Sequence, residues 1–183
     1  MTLGTTMAVS AMLSSCAPEL PPTSSPTPVV APTPSASTPT ESPQEREERL
    51  AYEGAEKAYR TFITEYFRIV SSSDRPRVTP TMRKHATGDY LKGYATFIKQ
   101  RRKARVQSSG PVVVRRVDRV AYSPKRVLLT ACEDGSESRI IDQQDRIVGR
   151  GEVRTIDLTV RRVDSRWLVS DGDNEMRVKP CAD

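Results

Sequence analysis

Few residues in this chain could do acid–base, nucleophilic or metal chemistry. His85 is the only histidine, and imidazole is the side chain whose unperturbed pKa lies closest to neutral pH. No motif places a nucleophile or an orienting carboxylate beside it. It stands between Lys84 and Ala86, near a helix end, where a surface or capping role is ordinary. Isomerisation in a pocket would need an inward Asp or Glu, with a Tyr or protonated acid to hold the oxyanion. Asp89 with Tyr90 or Tyr94 is one such pairing, and Asp157 is another candidate acid. Asp89, however, opens a helix, where a negative charge is favoured in any case. Asp157 alternates with Ile156 and Leu158 and so points outward. The run "DGDNEM" at 171–176 begins like a calcium loop, but its sixth position is Met176 and its twelfth Ala182, where such a loop needs Gly and Glu. No CxxC or HxxxH spacing is present. The expectation is therefore no metal, no cofactor, no catalytic residue and no enzymatic activity.

The three cysteines separate into one and two. Leu13-Ser14-Ser15-Cys16 follows a short, mildly apolar stretch, which suits a signal-peptide h-region and small residues before a cleavage point. It resembles the bacterial lipobox. That resemblance implies a lipoprotein signal peptide over 1–15, acylation of the Cys16 sulfur, and a mature chain beginning at Cys16. Two or more acyl chains would then hold the protein on the outer face of the cell membrane. Residues 1–15 contain no Lys or Arg, which signal peptides usually carry near their start. Cys132 and Cys181 remain as an even pair. In an oxidising compartment a disulfide is their natural use, and two buried free thiols are the alternative.

The composition changes sharply near Pro43. Nine of the fourteen prolines lie between Pro18 and Pro43, among Ser, Thr, Ala and Val. Such a segment has too little apolar surface to offset chain entropy, so 16–43 is expected to be a disordered tether. All 29 Lys and Arg follow Pro43, against 21 of the 23 acids, Glu19 and Glu41 being the two earlier ones. The body is thus strongly basic. Inside a cell that would favour nucleic acid; outside the membrane the available polyanions are lipid headgroups and wall polymers. The anchor reading excludes nucleic acid as a partner. Arg101-Arg102-Lys103, Arg115-Arg116 and Arg161-Arg162 are the clusters concerned. Neighbouring arginines on a strand point to opposite faces, so a solvated outer face with cross-strand ion pairs is the ordinary reading.

The body, 44–183, has helices first and strands afterwards. Ser42-Pro43-Gln44-Glu45 forms a capping box with Pro at the first helical position. Tyr52, Ala55, Tyr59, Phe62, Tyr66 and Ile69 then recur at helical spacing as far as Ser71. Thr79-Pro80 starts a short helix reaching Thr87-Gly88. A third helix carries Tyr90, Leu91, Tyr94, Phe97 and Ile98 on one face. After Pro111 the period becomes two, and strands are expected over 112–122, 126–132, 152–163 and 166–170, with a short one at 139–141. That order means α+β, a curved antiparallel sheet wrapped on the long helix.

"HATGDYLKGYATFI" (85–98), "VLLTACEDGSES" (127–138) and "VRRVDSRWLVSDGD" (160–173) occur in an order that resembles a group of actinobacterial surface lipoproteins. Their body looks like the nuclear-transport-factor-2-like (NTF2-like) fold shared with ketosteroid isomerase. The matching residues are Ala86-Thr87-Gly88, Cys132-Glu133-Asp134 and Trp167-Leu168-Val169. The resemblance implies a cone with a pocket between helices and sheet, for which Tyr59, Phe62, Tyr66 and Tyr94 are the candidate lining. The fold does not fix chemistry. The expected function is a lipid-anchored extracytoplasmic binding or assembly module that engages an envelope protein or an anionic polymer. The alternative is a small pocket protein that binds or isomerises an apolar ligand.

Overall fold

The structure is a computed structural model that describes residues 41–72, 75–172 and Cys181. The chain divides into Met1–Pro39 and Thr40–Asp183, and every described residue belongs to the second unit. The expected signal peptide and Cys16 lie outside the described residues, as does the expected tether apart from residues 41–43.

Helix α1 (Pro43–Val70) begins at the capping box. The Ser42 hydroxyl accepts from the Glu45 N–H at 3.2 Å and Glu45 accepts from the Ser42 N–H at 2.8 Å, satisfying two backbone donors that a helix start leaves open. Its apolar stripe from Ala51 to Val70 is buried. Helix α2 is Pro80–His85 and α3 is Gly88–Ala104. Helix α2 is shorter than its sequence predicts: Ala86 turns to extended backbone and forms a parallel bridge with Val169. The Thr87 N–H then donates to the Val169 carbonyl at 2.8 Å.

Among the described residues seven strands follow: β1 (Gln107–Ser109), β2 (Val113–Ser123), β3 (Arg126–Asp134), β4 (Arg139–Ile141), β5 (Ile147–Arg150), β6 (Val153–Val163) and β7 (Arg166–Gly172). Strands β2-β3-β6-β7 form an antiparallel sheet in that order, and β1-β4-β5 form a small second sheet. The α+β class with helices packed on antiparallel sheet is as expected. Strands β1 and β5 are additions to it. Each is only three or four residues long and carries no alternation of apolar and polar types.

The core lies between the helices and one face of the larger sheet. Antiparallel strands place every second residue on that face, and the β3–β6 register aligns them in rungs: Val127 with Val160, Leu129 with Leu158, Ala131 with Ile156. All six are buried. Trp167 of β7 closes one side by lying against Gly54 of α1, where an added Cβ would stand 2.5 Å from the indole Cδ1. Strand β2 forms an edge of the larger sheet; its register slips between Val114 and Arg116 and again between Arg119 and Ala121. No strand pairs with its other side among the described residues.

Candidate functional site

The next rung of the ladder is not apolar. Glu133 of β3 stands directly opposite Arg154 of β6, on the inward side by the same alternation that buries Ala131 and Ile156. Glu133 is only 1% exposed. An isolated carboxylate there would cost far more free energy than a small domain can spare. It is compensated on both oxygens. Tyr59 of α1 donates its hydroxyl to Oε1 at 2.5 Å, and Arg154 donates Nε and Nη2 to Oε2 at 3.0 and 2.8 Å. Burial is the largest influence on Arg154 and opposes its charge, but the Glu133 carboxylate together with Tyr94 and Tyr59 more than offsets it and holds the guanidinium above its ordinary pKa.

Behind this trio lies an aromatic cluster. Phe62 packs against Tyr90 and Tyr94 with ring centroids 5.1 and 4.9 Å apart, and Tyr66 meets Tyr94 edge-on at 4.6 Å. Burial pushes the Tyr59, Tyr90 and Tyr94 phenols above their usual range, and the nearby Glu133 charge adds to the effect. Of the four residues expected to line a pocket, Tyr59 and Phe62 are fully buried, and Tyr94 is buried within the cluster. The structure thus brings the four together as packed core. Only Tyr66 also borders open space. That space is a cleft of about 220 Å³ lined by Tyr66, Arg101, Ser108, Glu133, Arg150 and Arg154 among others. Arg101 donates to the buried Ser108 hydroxyl at 3.0 Å and also bonds the Tyr66 side chain, which fixes its direction at the cleft mouth.

The remaining sequence candidates do not converge. His85 ends α2, partly buried; burial, then Lys57, Lys84 and Arg166, lower its pKa. Asp89 is exposed and pairs with Lys92 at 2.9 Å, away from the buried hydroxyls of Tyr90 and Tyr94. Asp157 is exposed on the sheet's outer face, where it accepts from Thr130 at 2.7 Å. Of 171–176, Asp171 and Gly172 end β7 and the other four positions lie outside the described residues. Among the described residues no group of three or more His, Cys, Asp or Glu could hold a metal ion, and no helix is long and apolar enough to cross a membrane. Cys132 and Cys181 are joined as a disulfide, their Cα atoms 5.5 Å apart. Of the basic pairs, Arg115 bridges from β2 to Asp134 on β3, and Arg116 pairs with Asp118.

Sequence reasoning missed Glu133 and Arg154, although the signal was there. The inward series Val127, Leu129, Ala131 continues to Glu133, and the inward series Val160, Leu158, Ile156 continues to Arg154.

No protein-family model matches the chain, and no curated protein matches it. Among solved structures, the intermembrane-space region of the chloroplast protein ARC6 is similar at 17% identity and a TM-score of 0.42, the match covering 65% of this chain and 94% of that one.

Proposed function

We propose that this protein is a binding or assembly module rather than an enzyme, with an NTF2-like body held on the outer face of a membrane by an acylated Cys16. Its partner is an envelope protein or an anionic polymer. The observation that carries the non-catalytic reading is the state of Glu133. A general base must be within reach of substrate, whereas this inward acid is 1% exposed and both its oxygens are already engaged, by Tyr59 and by Arg154. The aromatic packing of Phe62, Tyr90 and Tyr94 supports the same reading over the apolar-pocket alternative, because those rings occupy the space such a ligand would need. The membrane placement is supported by the Leu13-Ser14-Ser15-Cys16 motif and the Pro-rich stretch after it.

The test is fractionation of the native host expressing the wild-type chain or Cys16→Ser, with mass spectrometry of the purified N-terminus. Wild type is expected in the membrane fraction with a diacylglyceryl-modified Cys16, and the variant in the medium or soluble fraction. An unmodified leader, or equal membrane recovery of both, would overturn the anchor.

A further inference from the structure

Beside the packed aromatic core, and outside it, lies the cleft of about 220 Å³ that Tyr66 borders. Arginines from three elements border it: Arg101 of α3, Arg150 of β5 and Arg154 of β6. Two carboxylates share that border, the buried Glu133 and the exposed Glu152. Glu133 is matched by Arg154 at 2.8 Å, whereas Arg101, Arg150 and Glu152 form no ion pair among the described residues. Three cations against two acids leave one positive charge among the described lining residues. The lining comes from 66–67, 101–112, 133–140 and 150–154, each described without a break. The disulfide is elsewhere: Cys132 carries it, on the face of β3 opposite to Glu133.

The donors at the cleft are held in place. Arg101 Nη1 donates to the buried Ser108 hydroxyl at 3.0 Å, and the guanidinium also bonds Tyr66. Both partners border the cleft, so the guanidinium is located there. Most of its five N–H donors have no acceptor among the described residues. Arg154 commits Nε and Nη2 to Glu133, while its Nη1 has no acceptor among the described residues. The backbone of the border is fixed as well. The Gly135 N–H donates to the Glu152 carbonyl and the Gly151 N–H to the Ser138 carbonyl, each at 3.0 Å. An added Cβ at Gly151 would run into the Gly135 carbonyl, so those two segments are in direct contact. Phe67, Val112 and Ile140 give the same cleft an apolar part.

We propose that this cleft binds a small monocarboxylic acid with a short branched hydrocarbon body. A guanidinium fork matches the two coplanar oxygens of a carboxylate, and a single surplus positive charge is balanced by a monoanion. Phe67, Val112 and Ile140 favour a hydrocarbon group over water. At about 220 Å³ the space falls below the roughly 300 Å³ at which pockets for drug-sized ligands begin, which suits a molecule of a few carbons. This ligand goes beyond the envelope partner proposed above and does not depend on the acyl anchor.

Titration of the labelled full chain with isovalerate, followed by heteronuclear NMR, tests the site. The amide signals of Ser108, Gly135 and Gly151 are expected to shift saturably. Isovaleramide, which lacks the charge, is expected to bind at least about tenfold more weakly, for want of a charge-assisted hydrogen bond. Arg150→Gln, at an exposed residue without an ion pair, is expected to weaken isovalerate binding by about tenfold at unchanged melting temperature. Arg161→Gln on β6 should bind as wild type does. If Arg150→Gln melts early, Arg101→Lys, which keeps the charge and loses the fork, carries the same expectation. Equal affinity for the acid and its amide would overturn the site, as would unchanged binding in the cleft variants or no saturable shift at all. Tighter binding of inorganic phosphate would overturn the carboxylate. Binding of an acetylated dipeptide ending in leucine more tightly than isovalerate by about tenfold would overturn a free acid as the ligand.

Discussion

Arg154 reaches Glu133 across the β3–β6 ladder from the position directly opposite, and its Nε and Nη2 both donate to the same carboxylate oxygen. The pair lies at the end of three apolar rungs, with the acid 1% exposed and the arginine side chain 43% exposed. The acid therefore depends on its partner far more than the partner depends on it.

Removing one member should be worse than removing both. Arg154→Met leaves a buried carboxylate with only the Tyr59 hydroxyl and is expected to destabilise the fold by about 3 kcal/mol. Combining it with Glu133→Met should recover much of that loss, because no unpaired charge then remains. Urea unfolding of the two single variants and the double variant measures the coupling. Additive losses would show that the pair is not the unit argued here.

The buried phenols predict alkaline unfolding. Tyr59, Tyr90 and Tyr94 have raised pKa values, burial being the main cause. Unfolded tyrosine ionises near pH 10. Above that pH the unfolded state therefore releases protons that the folded state retains, and stability falls as pH rises. Ultraviolet titration should show these phenols ionising only together with loss of the far-ultraviolet signal, whereas Tyr59→Phe removes one of them from the late phase.

His85 gives the opposite slope. Burial and three nearby cations lower its pKa from the ordinary value of 6.5. The unfolded state then binds a proton more readily as pH falls below about 6.5, so the contribution of the neutral imidazole to stability is lost on acidification. Proton NMR should find its midpoint below 6.5, and His85→Gln should flatten the stability profile between about pH 7 and 5.

The Cys132–Cys181 link spans a sequence separation of 49. Closing a loop of that length is worth about 4 kcal/mol in the chain-entropy account. Cys181→Ser should lower stability by that order in denaturant unfolding, and reductant should do the same to the wild type but leave the variant unchanged.

Gly54 should defy its helix propensity. Alanine in the middle of a helix is ordinarily favoured over glycine by about 1 kcal/mol. Here an added Cβ would meet Trp167 Cδ1 at 2.5 Å and Nε1 at 3.2 Å. Gly54→Ala is expected to destabilise by about 1–3 kcal/mol through overpacking and to shift the fluorescence of the single tryptophan. A more stable variant would show that the indole moves aside at little cost.

The long elements were legible in the sequence because their patterns repeat. The Ser42–Glu45 box and the stripe from Tyr52 to Ile69 mark α1, and alternation marks β2, β3, β6 and β7. Strands β1 and β5 were not legible: Gln107-Ser108-Ser109 and Ile147-Val148-Gly149-Arg150 are too short to show a period, and among the described residues they pair only through β4. The site failed for a different reason. Charged types at the ends of β3 and β6 look like residues entering solvent, and only the pairing register shows that Glu133 and Arg154 continue the inward rows. The four aromatics were legible as a group that meets in space. Whether they enclose a void or fill one depends on ring tilt, which spacing does not encode.

The border of β2 has one last consequence. Among the described residues no strand pairs with its outer side, its Val114 carbonyl accepts from Arg60 at 2.8 Å, and the two slips in pairing bend it twice within eleven residues. A foreign strand laid beside it would lose alignment at each bend. Copies of this protein crowded side by side would therefore have no straight seam along β2 on which to zip together.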